Sequence, residues 1–498
     1  MSGFRLLDLI KFFLPILPEV EFPYERISFD ERIVFTVGSG IIFLFGQLPI
    51  YGLVSNAQFK IEDPFFNYRN VFAMEKGSLL ELGLLPAITA AFIWQLAVGL
   101  KLINVNLGLV QDRELFQSGQ KLTSFLLAIG YAAGLIYSGY YDSVIQGYDP
   151  LTDGLPIGWY VFIFFQIVGW SFFTTLLIEI FDKGYSFGSG ILCFLTLQTA
   201  TNFVRDLVGL EIFPIINSNK SESYGALFNL IRSFSFDLTV LKQNILNAFT
   251  RSQFPNLTQF YISLLSIFVV IGLQNFRIEI PIRSTKVRAM NNVYPIRLLY
   301  CGALPLLFTY TIITNIQIFG YFLVNILTKF NISSELVALL GKYQIEAFSN
   351  DLQLKSGVLF YLSNSSTFIS SILSPIRSVI YVAFVVIIST WFAQQWSYIS
   401  GASPKDTSKQ FKEQGISIAG KRDVSITKEL SRVIPVAAVS GAFSLSVLAV
   451  AGEILGGLGK GVSIIVGVCS AFGILEEFMI EYQQTGGNSQ FSGAFGGL

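Results

Sequence analysis

Residues 156–177 read PIGWYVFIFFQIVGWSFFTTLL, a stretch without Asp, Glu, Lys or Arg. A helix needs roughly 20 predominantly apolar residues to cross the hydrocarbon core of a bilayer. This stretch satisfies that requirement and therefore predicts a membrane-spanning helix.

Nine further apolar runs of similar length lie on either side of this stretch. Two of them are interrupted, one by Gly83 and Pro86 and the other by Gly188 and Gly190. We predict an all-α polytopic membrane protein with ten transmembrane helices. The ten predicted spans cover residues 33–54, 79–103, 122–141, 156–177, 187–207, 257–273, 298–327, 375–396, 433–455 and 462–478.

The overall composition also indicates a membrane protein. Charged residues make up 13% of the 498, about half of the roughly 25% found in a soluble protein. The 33 Lys and Arg are balanced by 33 Asp and Glu, so no global positive excess favours nucleic acid. His is absent, which removes the usual general base and His metal ligands, and the three Cys never form a CxxC pair. We expect no enzyme, no cofactor and no metal site.

The N-terminal region, residues 1–30, differs from a signal peptide. Asp8 and Lys11 interrupt its apolar run, and no small-residue cleavage site follows. Arg5, Asp8 and Lys11 recur at every third position, on one side of a helix. This pattern predicts an amphipathic helix that lies in the membrane interface.

The distribution of basic residues predicts the orientation. If the N-terminus is cytosolic, most of the 33 Lys and Arg fall in cytoplasmic segments, as the positive-inside rule requires. All four N-x-[ST] patterns then fall on the opposite side, at Asn219, Asn256, Asn331 and Asn364. We therefore expect both termini in the cytosol.

Two cytoplasmic loops, residues 274–297 and 397–432, are rich in basic residues. One interpretation is a topology signal combined with an ordinary solvated surface. The other is a pair of projecting prongs that bind a polyanion such as ribosomal RNA through its phosphates. The candidate binding residues at the two tips are Arg283, Lys286, Arg288, Lys421 and Arg422.

The predicted spans carry acidic residues near their ends and no charge near their middles. Ion-coupled pumps and transporters normally need ionisable residues within the membrane. The pattern therefore favours a passive conduit that an apolar constriction closes. Two alternatives stay open: a ten-span secondary transporter of a small solute, and a membrane scaffold or ribosome receptor without a pore.

The segment FKIEDPFFNYRNVFAMEKGS, residues 59–78, is too polar to cross a membrane and too apolar for an ordinary loop. It is either a cap on the outer surface or a short helix folded back into a channel mouth. In the second case, burial of Phe65, Phe66, Val71 and Phe72 would stabilise it.

Ten motifs spread along nearly the whole chain carry a family resemblance. They are LPEV at 17–20, FGQLPIYG at 45–52, DPFF at 63–66, LLELGLLPAIT at 79–89, QDRELFQ at 111–117, DKGYSFGSGI at 182–191, EIPIRSTKVR at 279–288, YPIRLLY at 294–300, SGASPKDTSKQFKEQG at 400–415 and GKRDVSITKEL at 420–430. In this order they resemble the SecY family of protein-conducting channels, and specifically the eukaryotic Sec sixty-one alpha branch. Three further stretches, NNVYPIRLLY, IPVAAVSGA and IEYQQTGG, are most similar to the paralogous Sec sixty-one homologue branch of yeasts.

The resemblance implies two inverted-repeat halves of five spans each, clamped around an hourglass pore that opens sideways. The first half would cover residues 31–210, with a plug at about 56–76, and the second half residues 256–480. A lumenal loop at 211–255 would join them, and a cytoplasmic tail would follow at 481–498.

The resemblance also assigns candidate site residues, none of them catalytic. At the lateral gate, Thr89 and Asn315 match polar family positions, whereas the third position is Tyr131 where Gln is usual. The plug residues are Asp63, Pro64, Phe65, Phe66, Val71 and Phe72. The pore ring comprises Leu84, Ile88, Ile191, Leu195, Leu307 and Val466.

The implied function is a pore-forming alpha subunit in the endoplasmic reticulum membrane. Nascent polypeptides would pass from docked ribosomes into the lumen, and transmembrane segments would leave sideways into lipid. The implied partners are the ribosome, through its RNA and exit-site proteins, signal sequences of nascent chains, membrane lipids, and small single-span beta and gamma subunits.

Overall fold

The computed structural model describes residues 6–54, 63–103, 105, 109–142, 144–145, 156–214, 221–234, 236–251, 254–284, 291–330, 334–345, 352–364, 368–399, 403–418, 423–456 and 460–484. The fold is mostly helical, and the ten longest of the described helices correspond in order to the ten predicted spans. In chain order, spans 1 to 10 are Phe29–Leu44, Leu85–Gly99, Val110–Tyr137, Ile157–Asp182, Gly190–Val208, Leu257–Asn275, Leu304–Lys329, Pro375–Ile399, Asp423–Gly456 and Lys460–Gln484.

Spans 4, 6, 7, 8, 9 and 10 are each long and apolar enough to cross a membrane by themselves. Local signals fix where other helices begin. Ser28 caps span 1 by accepting a hydrogen bond from the Glu31 backbone N–H. Pro86 lies in the first turn of span 2, where its missing N–H removes no hydrogen bond from the helix.

Shorter helices lie before and between the spans. The N-terminal helix is Leu6–Phe13, and its Ile10 is buried against Trp94 and Leu115 at the ends of spans 2 and 3. The others are Phe66–Arg69, Ala226–Arg232, Leu238–Thr250, Ser334–Leu340, Val358–Tyr361, Phe368–Leu373 and Pro404–Gln414.

Spans 1 and 2 are shorter than their apolar runs. The runs extend over residues 33–54 and 79–103, but span 1 ends at Leu44 and span 2 begins at Leu85. The described residues 71–84, just before span 2, form a mostly buried loop, in which Gly83 adopts φ +52° and a Cβ atom would collide with the Phe72 carbonyl oxygen. The Leu80 N–H of this buried loop donates at 2.9 Å to the Gly46 carbonyl after span 1. A buried loop is as apolar as a span, and the segment after span 1 is also apolar although partly exposed, so hydropathy overestimated both helices.

The basic loops contain strands that the sequence reasoning did not predict. Strand Arg277–Ser284 pairs antiparallel with strand Asn291–Arg297, and its far end also pairs antiparallel with strand Ile416–Ile418. We call this three-stranded unit the prong sheet. Its apolar side packs on Ile426 and Leu430 of span 9, which explains why span 9 begins earlier than the predicted residue 433.

Two further short antiparallel pairs lie in the loops on the opposite side. Ile212–Pro214 pairs with Ser221–Ser223 between spans 5 and 6, and Lys342–Ile345 pairs with Leu352–Ser356 between spans 7 and 8. Beneath them, one contiguous apolar core runs through both sets of five spans. Phe308 of span 7 stacks on Phe392 of span 8 with ring centroids 4.0 Å apart, and Phe43 of span 1 stacks on Phe194 of span 5 at 4.6 Å.

Candidate functional site

Five of the six residues assigned to the pore ring lie on four spans, Leu84 lies just before span 2, and all six belong to or pack against the common apolar core. Five of them are buried, and Ile191 is half-buried and packs against the same core. Ile191 and Leu195 are one helical turn apart on span 5, directly after the Gly188–Gly190 turn that starts the helix. Leu84 and Ile88 are likewise one turn apart, at the very start of span 2. The start of each helix thus aims two aliphatic side chains at the same core.

The plug segment is described from Asp63 onward, and most of its described residues are buried. Phe65, Val71 and Phe72 lie in the common core, as expected for a segment folded into the channel mouth. Phe66 is different: it is 39% exposed, so the expectation that it is buried is wrong. The plug helix Phe66–Arg69 is a single turn, and its inner side is taken by Tyr68 and Arg69.

A buried charged cluster holds the plug. The Arg69 guanidinium donates to the Asp63 carboxylate within the plug and, at 2.7 Å, to the Glu81 carboxylate just before span 2. It also donates at 2.8 Å to the hydroxyl of Tyr140, which lies in the turn after span 3. The Asp63 and Glu81 side chains are each 1% exposed. We call Asp63, Arg69, Glu81 and Tyr140 the plug latch.

The electrostatics of the plug latch favour the ionised pair. Burial by itself raises the pKa of Asp63, but the positive charges of Arg69 and Lys76 outweigh burial and hold that pKa below its ordinary value of 3.8. The Phe65 backbone N–H also donates to the Asp63 carboxylate at 3.1 Å. Sequence reasoning missed this cluster, although charged residues within so apolar a segment were a usable signal.

The three gate residues lie side by side on three different spans. Asn315 of span 7 is the centre: its amide donates to the Thr89 hydroxyl of span 2 at 3.1 Å, and its side-chain oxygen accepts from the Tyr131 hydroxyl of span 3. The Tyr131 ring is buried and packs against Phe319 with centroids 5.6 Å apart. Tyr131, in the position where Gln is usual, therefore takes part in the polar contact. We call these three residues the gate relay.

A second buried carboxylate, Glu453, lies near the end of span 9. It accepts hydrogen bonds from Tyr310 at 2.8 Å, Tyr381 at 2.9 Å and Asn364 at 3.2 Å. Asn364 is one of the four N-x-[ST] patterns, and its side chain is buried in this contact. The Glu453 carboxylate therefore joins spans 7, 8 and 9, and Asn364 ties the adjoining loop to it.

The prong sheet brings the two basic loops together. Arg283 is exposed and lies opposite Ser417 in the register, so the strands that lead to the two tips are adjacent. Lys286, Arg288, Lys421 and Arg422 lie outside the described residues. Within the described part of the chain, no group of three or more Cys, Asp or Glu residues could hold a metal ion.

Two family models match this chain, one over the plug region and one over most of the remaining residues. The SecY family model matches residues 78–475, and the model of the plug domain of Sec61p matches residues 41–77. The Sec sixty-one protein homolog of Saccharomyces cerevisiae is 41% identical over 497 residues, covering 100% of this chain and 99% of the relative. The SEC61 subunit alpha of Candida albicans is 36% identical, with 96% of each chain covered.

Solved structures give the same result for the fold. The yeast Ssh1 complex, solved idle and bound to the yeast 80S ribosome, superposes with a TM-score of 0.77 and 40% identity, covering 99% of this chain and 98% of the other. A protein-conducting channel of 24% identity shares the fold with a TM-score of 0.73, covering 96% and 97%. The similarity to the SecY family and to its yeast homologue branch is thus confirmed. The alternative of a small-solute transporter is not supported.

Proposed function

The chain belongs to the SecY family of protein-conducting channels, and from this membership we infer how its site works. Several of the curated relatives are protein-transport alpha subunits, and we propose that this chain is likewise a translocon alpha subunit, in the endoplasmic reticulum membrane. We propose that it passes nascent polypeptides from docked ribosomes into the lumen and releases transmembrane segments sideways into lipid. One observation supports this proposal above the others: the Leu84 N–H of the proposed ring donates to the Phe72 carbonyl of the proposed plug at 2.9 Å, so the two segments are in direct contact.

The pore ring fits a conduit because its side chains are aliphatic. Leu, Ile and Val close a narrow throat against ions, since an ion entering it must give up its water without finding a polar partner. The same side chains offer a passing polypeptide no hydrogen bond or charge that would retain it. The ring therefore combines an ion barrier with weak binding of the substrate.

The gate relay fits a lateral exit. Its members belong to spans 2, 3 and 7, so separating span 2 from span 7 breaks the hydrogen bond from Asn315 to Thr89. A segment of about 20 apolar residues that reaches the open gate then enters lipid spontaneously, because hydrocarbon is its preferred solvent. No nucleotide hydrolysis within this chain is needed for that step.

We extend the proposal to partners and topology. The yeast Ssh1 complex, a relative of 40% identity solved on the ribosome, supports a ribosome partner. The basic residues of the prong tips are the docking site that we propose, namely Arg283, Lys286, Arg288, Lys421 and Arg422. With docking there, the prong sheet and both termini would lie in the cytosol. Small single-span beta and gamma subunits complete the proposed complex.

The pore ring is tested by polar substitution. Leu84→Asn with Ile88→Asn should make the resting channel conduct ions, because the two amides hydrate a throat that was apolar. Single-channel recording in planar bilayers measures the effect. Leu126→Asn is the matched control, since this exposed residue of span 3 lies away from the core. Equal resting conductance of the ring variant and the control would contradict the ring assignment.

The prong tips are tested by charge reversal. Arg288→Glu combined with Arg422→Glu should abolish ribosome binding, because repulsion replaces two phosphate contacts. Co-sedimentation of the detergent-solubilised channel with ribosomes, at several salt concentrations, measures the loss. The control is Lys405→Glu with Lys409→Glu, an equal charge change on the exposed side of helix Pro404–Gln414. Binding that survives the tip reversal as well as the control reversal would refute docking at the tips.

A further inference from the structure

The loop between spans 5 and 6 is a folded unit with a helix of its own. This helix, Leu238–Thr250, is called the loop helix below. Arg251 follows it and donates to the carbonyl oxygens of Ser223 at 2.9 Å and Tyr224 at 2.6 Å. These bonds tie the end of the loop helix to the strand pair that opens the loop, so its placement next to span 6 is fixed.

The loop helix has three different sides. With 3.6 residues per turn, Leu241, Asn244 and Ala248 fall on the side that packs against the protein, and they are its least exposed residues. A second side is exposed and mostly polar, with Gln243 and Asn247 at its centre and Val240 at its edge. The third side is exposed and apolar, and its residues recur at intervals of four, three and four. Its members are Leu238, Lys242, Ile245 and Phe249.

The apolar side is unusually exposed for a helix in water. Leu238 is 83% exposed, and Phe236, just before the helix, is 97% exposed. Apolar surface of this extent on one side of a helix with a polar opposite side is typical of helices that lie in a membrane interface. Lys242 suits that position, because its aliphatic stem can run along lipid while the ammonium reaches the headgroups.

The apolar side continues directly into the lipid-facing side of span 6. The ring of Phe249 stacks parallel to the ring of Tyr261, with centroids 6.3 Å apart. Tyr261, Leu265 and Phe268 are all exposed and recur at helical spacing on span 6, which is long and apolar enough to cross the membrane. The Thr258 hydroxyl donates to the Phe249 carbonyl at 2.9 Å, holding the loop helix at the level of the first turn of the span.

We propose that the loop helix lies flat in the membrane interface, with Leu238, Ile245 and Phe249 embedded in the lipid leaflet at which span 6 begins. Lipid is the favoured occupant because the surface is continuous with one that lipid already covers. The loop helix then anchors the junction between the two halves of the channel to that leaflet. The proposal needs only that span 6 crosses the membrane, and it is independent of ribosome docking and of pore-ring function.

Depth-dependent fluorescence quenching tests this placement. In full-length protein with Cys193, Cys301 and Cys469 replaced by Ala, a single Cys at Ile245 or at Asn247 is labelled with an environment-sensitive nitrobenzoxadiazole dye. The purified chain is reconstituted alone into phosphatidylcholine vesicles. We expect blue-shifted emission from Ile245→Cys, with quenching by nitroxide lipids labelled near the headgroup. The Asn247→Cys control should emit further to the red and be quenched by iodide in water.

Two outcomes would overturn the proposal. Equal quenching of both positions by iodide would mean that the apolar side faces water, and protection of Ile245→Cys from both quenchers would mean that protein covers it. Leu238→Cys serves as a second reporter if the label at Ile245 disturbs folding, and only variants that elute as one symmetric peak in detergent are compared.

Discussion

The segments that we propose as plug and lateral gate are held by different kinds of contact. Buried charges hold the plug, because Arg69 bridges Asp63 and Glu81 where both carboxylates are almost inaccessible to water. Neutral hydrogen bonds hold the gate, through the single amide of Asn315. A buried ion pair that loses one partner leaves a charge without solvent, whereas a neutral hydrogen bond contributes little net free energy. We therefore expect the loss of one latch residue to release the plug almost completely, whereas the gate relay should open at a much smaller cost in free energy.

The largest expected effect comes from removing the centre of the plug latch. Arg69→Ala leaves two buried carboxylates close together, which should destabilise the plugged state by about 3–5 kcal/mol. We expect plug displacement, a resting ion leak and a lower melting temperature. Bilayer conductance and thermal unfolding in detergent measure these effects.

Two variants separate this effect from a general loss of charge. Arg297→Ala removes an exposed ion pair with Glu476 and should change stability by less than about 1 kcal/mol. Arg69→Lys keeps the positive charge but loses the two-sided geometry, so it should be intermediate. If Arg69→Ala had the same resting conductance and the same melting temperature as Arg297→Ala, the contrast between plug and gate would disappear.

A smaller effect is expected at the gate. Tyr131→Phe removes one hydrogen bond to Asn315 and keeps the packing of the ring on Phe319. The loss of about 1 kcal/mol should shift the gate about fivefold toward opening. In reconstituted vesicles, a signal segment of borderline hydrophobicity should then insert more efficiently.

Tyr137→Phe is the matched control for the gate, since it makes the same change on the same helix at a half-exposed residue. An unchanged insertion efficiency for Tyr131→Phe relative to Tyr137→Phe would remove the Tyr131 hydroxyl from the gate relay. An increase that corresponds to several kcal/mol, as expected for Arg69→Ala, would instead show that the gate depends on its hydrogen bond as strongly as the plug depends on its ion pair.

The contrast between latch and relay also separates what sequence could and could not predict. The number and order of the spans were predictable from run length and apolarity, whereas the ends of spans 1 and 2 were not, because neighbouring loop segments are equally apolar. The plug latch was not, because Glu81 lies twelve residues after Arg69 and reaches it only once the buried loop has folded back. The gate residues came from the family resemblance, and the contact of Tyr131 with Asn315 depends on how far a phenol reaches between two helices.

The prong sheet was missed for a different reason. RIEIPIRS, residues 277–284, alternates apolar and polar residues with the period of a strand, so the signal was present. Its charges and Pro281 instead favoured an irregular exposed loop. Pairing with Asn291–Arg297 and Ile416–Ile418 overrides that preference, and the second partner is too distant in sequence to be read from local pattern.

The smallest expected effect, a null result, comes from acidification. The pKa of Asp63 lies below 3.8 in the folded protein, because Arg69 and Lys76 outweigh its burial. Because this pKa is lower in the folded than in the unfolded protein, the ion pair stabilises the plug fully at any pH above the unfolded-state pKa. That stabilisation is lost only as the pH falls through the folded-state pKa. Resting conductance should therefore stay constant from pH 7.5 to about pH 5, where an unperturbed Asp is still ionised. The gate relay, made of an amide and hydroxyls, gives no reason for change in that range either. A leak that rises between pH 7 and pH 5, together with a conductance of Asp63→Asn that does not change over that range, would show that the Asp63 carboxylate is protonated more easily than its ion pair with Arg69 allows. The contrast between plug and gate would then be lost.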